Sequence, residues 1–270
     1  MYQRLLAAIV CLAMCTFGAA NAHTPNQPPH QLFKVGDLKL ESGEVIKDFS
    51  ISYVTHGTPN DKKSNAILMV TAIGGNHHRL DFLIGPGKAL DTNKFFIICT
   101  DAIGDGLTTS PSNSTAQAHM KFPRFLIRDM VTSQRLLLDH LGIAHVVAVI
   151  GPSMGGMQTL QWGVSYPDMM DSLVAIVPLA KTPAWSVAVL EASRKAIMLD
   201  PAWKNGDYDA PPEQGVRLYR DIQFPCRALA GNLSRPVPEP DGCLALAYRA
   251  RNGSSKGLRR QRLDLSDLGI

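Results

Sequence analysis

The sequence predicts an α/β fold in which a mostly parallel sheet carries helices on both of its faces. Short apolar runs at residues 66–71, 95–100 and 145–150 are typical of strands that are buried on both sides. Helical segments alternate with the later strands, and this order implies parallel pairing through crossover connections. A length of 270 residues, with 45% hydrophobic and 19% charged residues, suits a well-packed globular protein.

Each further element of the predicted core has its own local signal. Alternation of polar and apolar residues around Gly43 predicts a β-hairpin at 37–47, and residues 49–54 keep the period-two pattern of a strand. Apolar residues recur every three or four positions over 125–141, which predicts a helix that Gly142 stops. The remaining elements are a turn at 151–156, a helix at 157–166 and a fourth strand at 173–177.

The alternation of strands and helices stops near residue 183. Two successive helices are predicted at 185–199 and 213–222 with no strand between them, which is typical of a helical cap inserted into an α/β core. Beyond residue 225 the sequence is rich in Gly, Ser, Pro and Arg, and only 243–251 resembles a regular element. We therefore divide the chain into a signal segment at 1–22, a core at 23–182, a cap segment at 183–225 and an atypical tail at 226–270.

The first 22 residues have the pattern of a cleavable signal peptide. Arg4 gives a positive start, residues 5–17 are almost purely apolar, and Ala20-Asn21-Ala22 forms a small-residue cleavage site. The apolar run is too short to span a membrane. A buried N-terminal helix is the interpretation that competes with a signal peptide. We expect cleavage after Ala22 and a secreted or periplasmic protein with no membrane span.

Charge and cysteine usage exclude several classes of function. Most of the formal net charge of +4 lies in 226–270, which holds eight basic and four acidic residues, so residues 23–225 are close to neutral and do not favour nucleic acid as a partner. The mature chain keeps Cys99, Cys226 and Cys243, an odd number without metal-ligand spacing. We expect no disulfide framework, no metal and no cofactor, and a buried Cys99.

A G-x-S-x-G motif at 151–155 carries the chemistry. An apolar strand enters it and a helix leaves it, which is the pattern of the nucleophile elbow of an α/β-hydrolase fold, with Ser153 as the nucleophile. A structural glycine-rich turn is the open alternative, whereas a dinucleotide-binding loop would need glycine at position 153. An oxyanion hole would take one N–H group from Met154 and another from the loop at 72–75, although that loop also fits an ordinary strand-ending turn.

Four segments resemble the homoserine O-acetyltransferase family of α/β-hydrolases, and the match extends over roughly 35–225. The resemblance implies acyl transfer from acetyl-CoA to homoserine through an acyl-serine, with Ser153 as nucleophile and Ile73 and Met154 forming the oxyanion hole. It also implies Arg220 as a ligand for a substrate carboxylate, against the alternative of a solvated arginine. The family usually has His where Thr71 stands. The segments are IGPGKALDTNKFFIIC at 84–99, FPRFLIRDMVTSQRLLLDHLGI at 122–143, VIGPSMGGMQTLQW at 149–162 and ASRKAIMLDPAW at 192–203.

The general base that the nucleophile requires does not follow it in the sequence. In this fold a catalytic Asp and then a His come after the serine, but all eight histidines here precede Ser153. We hypothesise a truncated or frameshifted product that lacks the last strands and leaves one sheet edge unpaired, against the alternative of a correctly read tail that confers specificity. A base or half of a metal site at His77 and His78 is disfavoured, because adjacent side chains diverge on an extended chain. His140 and His145 fit a surface or a helix end.

Three functions therefore compete. The chain acts on a small-molecule ester or acyl donor, either as an acyltransferase or as an exported ester hydrolase, and its activity is impaired by the missing base. The third possibility is a non-catalytic protein that keeps the ligand pocket. The sequence leaves a homodimer open.

Overall fold

The computed structural model describes residues 29–223 and divides into two units between Thr182 and Pro183. The predicted signal peptide at 1–22 lies outside the described residues. So does the tail at 226–270, with the element expected at 243–251 and with Cys226 and Cys243.

The first unit is built on a six-stranded sheet in the order β1-β2-β4-β3-β5-β6. β1 and β2 form an antiparallel hairpin, and β2 pairs antiparallel with β4. β4, β3, β5 and β6 are parallel neighbours, so the predicted mostly parallel sheet is confirmed. The strands are β1 (Gln31–Lys39), β2 (Val45–His56), β3 (Ala66–Val70), β4 (Phe96–Thr100), β5 (Val146–Pro152) and β6 (Met170–Ile176).

The predicted hairpin around Gly43 is confirmed and is longer than expected. Its turn is closed by two backbone hydrogen bonds, from Leu40 N–H to the Glu44 carbonyl at 2.9 Å and from Gly43 N–H to the Leu40 carbonyl at 3.0 Å. Gly43 has a φ of +87°, a conformation that glycine adopts without steric cost. The two strands then extend over nine and twelve residues on either side of the turn.

The described part of the first unit contains two α-helices, α1 (Ile127–His140) and α2 (Met154–Ser165). The buried carboxylate of Asp129 fixes the start of α1, because it accepts hydrogen bonds from Leu126 N–H at 2.7 Å and Glu41 N–H at 2.8 Å. Gly142, at φ +68°, follows the last turn and confirms the predicted stop. The same described residues also form three short 3₁₀ turns, at Asp81–Leu83, His119–Lys121 and Pro167–Met169.

Three of the parallel strands, β3, β4 and β5, are largely buried on both faces, as their continuous apolar runs predict. Leu68 of β3 and Val149 of β5 pack on the face covered by the two helices, which contribute Val131, Leu138 and Trp162. Alternate residues point to the opposite face, where the β3–β4 connection supplies the cover for the part of the first unit that is described. That second cluster contains Ile67, Met69, Leu80, Ile84, Leu90, Ile97, Cys99, Ala148 and Ile150.

β6 is an edge strand of the sheet that the described residues form. Within residues 29–223 it pairs only with β5, so its outer N–H and C=O groups face no further strand there. Its apolar Leu173, Val174 and Ile176 keep 38–43% of their surface exposed. An apolar strand that is open on one side is a template for pairing with other chains.

The second unit confirms the two successive helices predicted after residue 183. They are α3 (Ala184–Met198) and α4 (Glu213–Gln223), with a 3₁₀ segment at Pro201–Gly206 between them. The helices lie so close that a Cβ on Gly215 would stand 2.7 Å from the Cα of Ile197. Asp200 helps to join them, because its carboxylate accepts a hydrogen bond from Gly215 N–H at 2.9 Å. No helix in the described part of the chain is long and apolar enough to cross a membrane.

Candidate active site

Ser153 lies on a sharp turn between a strand and a helix. β5 ends at Pro152, and α2 begins at Met154, so the serine is the single residue that joins them. Its φ of +54° and ψ of −118° form a strained conformation for a residue with a side chain. Its N–H donates to the carbonyl of Ile176 at 2.9 Å, while its side chain is exposed. The geometry is that of a nucleophile elbow, which presents the hydroxyl above the sheet.

The turn predicted at 151–156 is wrong in its second half, because α2 starts at Met154 instead of residue 157. Gly155 and Gly156 disfavour a helix by intrinsic propensity, but the close approach of neighbouring backbones requires them. A Cβ on Gly155 would lie 2.6 Å from the carbonyl oxygen of Val70, and one on Gly156 would lie 3.0 Å from that of Ile176. At Gly151 a Cβ would stand 2.4 Å from the Gly155 carbonyl oxygen. Tertiary contact therefore overrides local propensity here.

The loop expected to complete an oxyanion hole follows β3 directly. Ile73 is exposed in this loop, which turns through a hydrogen bond from Gly75 N–H to the Ala72 carbonyl at 3.1 Å. Met154 is the first residue of α2, where N–H groups have no partner within the helix and the helix dipole favours negative charge. Both positions follow the carboxyl ends of neighbouring parallel strands, β3 and β5. They therefore lie on the same side of the sheet as Ser153, where these strands end.

A buried network that the sequence did not predict lies behind the same loop. His77 is fully buried, and Asp101, just after β4, binds it twice. The backbone N–H of His77 donates to Asp101 Oδ1 at 2.7 Å, and its Nδ1 is 2.5 Å from Oδ2. The hydroxyl of Ser52 donates to the same Oδ2 at 2.6 Å. Asp101 therefore fixes the end of the loop that carries Ile73.

Asp105 places a second carboxyl group next to this network. Its Oδ1 accepts hydrogen bonds from the N–H groups of Leu107 and Thr108 at 2.9 and 3.1 Å. Burial, and then the negative charge of Asp101, raise the pKa of Asp105 to about 8. Asp105 therefore holds its proton at neutral pH.

Three other histidines, His78, His140 and His145, have local partners. His78 Nδ1 lies 2.8 Å from Asp81 Oδ2, and the exposed His145 pairs with Asp171 at 2.9 Å. His140 is the last residue of α1 and stacks on Phe33 at a ring distance of 4.0 Å, so the predicted helix-end and surface positions are confirmed. Across residues 29–223, no group of three or more His, Cys, Asp or Glu side chains is arranged to hold a metal ion.

Two other predicted residues have clear positions. Arg220 is exposed on α4 in the second unit. Cys99 is a free, buried thiol in β4, as expected. Burial raises the pKa of this thiol well above its usual value, which keeps it protonated and unreactive.

Asp105 predicts a pH dependence of folding stability. Its pKa is about 8 when folded and about 4 when unfolded, so the folded state binds more protons between these values. The stabilisation is complete below pH 4 and is lost as the pH rises towards 8, by at most about 1.4 kcal/mol per pH unit. Asp105→Asn keeps an oxygen for the two N–H donors but does not titrate. Urea unfolding across pH 4–9 should give a shallower decline for this variant than for the wild type, and equal slopes would contradict the assignment.

Comparisons with known proteins point to one superfamily. The homoserine O-acetyltransferase of Methanosalsum zhilinae is 43% identical over 205 residues, which cover 69% of this chain and 42% of that protein. An acetylester hydrolase from Corynebacterium glutamicum superposes with a TM-score of 0.71 at 32% identity, over 84% of this chain and 64% of that one. The homoserine O-acetyltransferase from Bacillus anthracis gives a TM-score of 0.70 at 29% identity, over 82% of this chain and 71% of that one.

The chain spans about half the length of the curated relatives that it matches. The family model for the alpha/beta hydrolase fold matches residues 65–229, a stretch that includes the elbow, the candidate oxyanion loop and both helices of the second unit. The fold, the strand order at the elbow and the similarity to homoserine O-acetyltransferases agree with this match. The chain therefore belongs to the α/β-hydrolase fold family.

Proposed function

We propose that this protein is an acyl-transfer enzyme that works through an acyl-serine at Ser153. The observation that carries the proposal is the strained backbone of Ser153, at φ +54°, with an exposed side chain at the start of a helix. Strain of this kind is maintained when the surrounding structure enforces it, as the glycine contacts at the elbow do here. The similarity to homoserine O-acetyltransferases and acetyl esterases supports the same chemistry.

The reaction has two halves. Ser153 Oγ attacks the acyl carbon of an ester or thioester, its proton goes to a base, and the alcohol or thiol leaves. The N–H groups of Ile73 and Met154 would stabilise the negative oxygen that forms on the way. The acyl group then passes from Ser153 to the hydroxyl of a homoserine-like acceptor, or to water. We propose Arg220 as a ligand for the acceptor's carboxylate, because a guanidinium binds carboxylates through two parallel hydrogen bonds.

The proposal of impaired activity concerns the general base that Ser153 requires. No histidine follows Ser153, and His77, whose Nδ1 contacts Asp101, is wholly buried. A positioned base contributes about 10²–10⁴-fold to such reactions, so we propose that acylation is slow here. The same observation favours a second candidate function, a protein that binds an ester or acyl donor without turning it over.

Labelling by a fluorophosphonate probe tests the nucleophile. The probe transfers its phosphonyl group to a nucleophilic serine and releases fluoride, so Ser153 should be labelled slowly, and Ser153→Ala should lose the label completely. Ser165→Ala is the matched control, since Ser165 ends the same helix, and it should label like the wild type. Mass spectrometry of the labelled peptide identifies the site. Labelling that survives in Ser153→Ala would disprove the nucleophile assignment.

Imidazole in solution tests whether the chain supplies a general base for Ser153. If the chain lacks its own base, added imidazole should accelerate labelling and the hydrolysis of p-nitrophenyl acetate several-fold in the wild type. Ser153→Ala should show only the background reaction of imidazole with the ester. A fast reaction that imidazole does not change would mean that the chain supplies its own base. If Ser153 is labelled neither with nor without imidazole, the result favours the second candidate function, which is binding without turnover.

Two acceptors separate the transferase from the hydrolase. With acetyl-CoA as donor, a transferase forms O-acetylhomoserine from homoserine, whereas an ester hydrolase releases acetate from simple esters. We propose the hydrolase version if the protein is exported, because water is then the abundant acceptor.

We further propose that residues 1–22 direct export and are removed after Ala22. The positive start, the short apolar run and the Ala-x-Ala site support this, since they match the three regions of a signal peptide. In a bacterial host the protein should be found in the periplasmic fraction, with His23 as its first residue by N-terminal sequencing. Replacing Ala20 and Ala22 by Leu should block cleavage. An uncleaved protein confined to the cytoplasm would refute the proposal.

A further inference from the structure

We propose that Gln158 is a positioning residue that holds the two halves of the oxyanion hole together, through a buried relay that begins at Trp162. The proposal rests on the proposed function of Ser153, because it concerns the backbone groups that would serve that nucleophile. It depends on side chains that the sequence motif does not include.

The relay consists of three buried side chains. Trp162 Nε1 donates to Gln134 Oε1 at 2.7 Å, and Gln134 Nε2 donates to Gln158 Oε1 at 2.6 Å. Gln158 Nε2 then donates to the backbone carbonyl of Thr71 at 3.0 Å, with a longer contact of 3.4 Å to that of Met154. Trp162 and Gln158 are fully buried and Gln134 is 1% exposed. The chain of hydrogen bonds thus links α1 and α2 to the loop after β3.

The direction of the relay is set by chemistry. An indole N–H can only donate, so the carbonyl end of Gln134 must face Trp162. The NH₂ group of Gln134 then faces Gln158. Gln158 must therefore present its side-chain carbonyl to Gln134 and its own NH₂ group to the loop. Both hydrogens of Gln158 Nε2 are thereby directed at backbone carbonyls, and neither glutamine can turn over without leaving a buried group unpaired.

The two carbonyls at the end of the relay belong to the two halves of the proposed oxyanion hole. Met154 supplies one N–H group itself, and Thr71 stands two residues before Ile73. Gly155 lets the start of α2 approach this loop, because a Cβ there would be 3.0 Å from the Thr71 carbonyl oxygen. Close contact brings the segments together, and the hydrogen bonds of Gln158 fix their relative position. Preorganised donors are effective only when that position is kept to within a fraction of an ångström.

The first test replaces Gln158 by Met in the full chain, which keeps the volume but removes both donors. In the presence of imidazole, fluorophosphonate labelling of Ser153 should slow by about tenfold or more. Hydrogen exchange of the peptide that contains 71–75 should become faster. Gln161→Met is the matched control on the same helix, because the side-chain amide of Gln161 donates to Ser165 of that helix, at 2.9 Å. Both measurements should stay within about twofold of the wild type in the control.

The second variant, Gln158→Glu, separates positioning from packing and serves if Gln158→Met does not fold. An ionised carboxylate keeps the acceptor for Gln134 but cannot donate to Thr71, whereas the protonated acid can. The ratio of its labelling rate to that of the wild type should therefore rise as the pH falls from 8.5 to 5.5. A ratio that does not change with pH would overturn the proposal, as would a Gln158→Met variant that labels like the wild type.

Failure of the proposed function gives a different result. If Ser153 of the wild type is not labelled at all, with or without imidazole, the proposal of acyl transfer through Ser153 is wrong. Hydrogen exchange at 71–75 then still decides whether Gln158 holds the loop.

Discussion

The elbow depends on backbones that approach more closely than any side chain would allow. At Gly151, Gly155 and Gly156 an added Cβ would lie 2.4–3.0 Å from a neighbouring carbonyl oxygen. The contacts on three sides come from the elbow itself, from the end of β3 and from the end of β6. Ser153 is held in its strained conformation because these contacts leave its backbone no room to relax. The position of the nucleophile is therefore a property of three strands and a helix.

The polar interior beside the elbow stabilises the same loop from two directions. Asp101 binds the backbone and the ring of His77 at the far end of the loop, and Gln158 binds the carbonyl of Thr71 at its start. Ile73 lies between these two attachments and remains exposed. Buried polar groups are costly unless they are hydrogen-bonded, so both attachments resist displacement of the loop that would supply a fixed donor to a developing charge. The raised pKa of Asp105 results from the same lack of solvent.

The sequence predicted that each strand of the sheet and each of the four described helices exists, but it began β1 at residue 37 instead of Gln31 and divided β2 into two stretches. The runs at 66–71 and 95–100 are apolar throughout, and α1 has a regular spacing and a glycine stop. The start of α2 was missed, because Gly155 and Gly156 weaken a helix locally, and only the backbones of β3 and β6 explain them. Asp101, Gln134 and Gln158 were missed for a related reason: their partners are 24 to 87 residues away in the sequence. A single glutamine in a helix gives no sign of where its amide points.

One hydrogen bond connects the nucleophile to the edge of the sheet. The N–H of Ser153 donates to the carbonyl of Ile176, the last residue of β6, and within residues 29–223 that strand is paired on one side only. Edge strands fray at a lower free energy than the strands inside a sheet. Opening of β6 would therefore break the hydrogen bond that the N–H of Ser153 donates, and would remove one of the contacts that hold the serine in its strained conformation. A strand that paired with the open side of β6 would oppose this opening, and would by the same free energy favour the conformation in which Ser153 presents its hydroxyl.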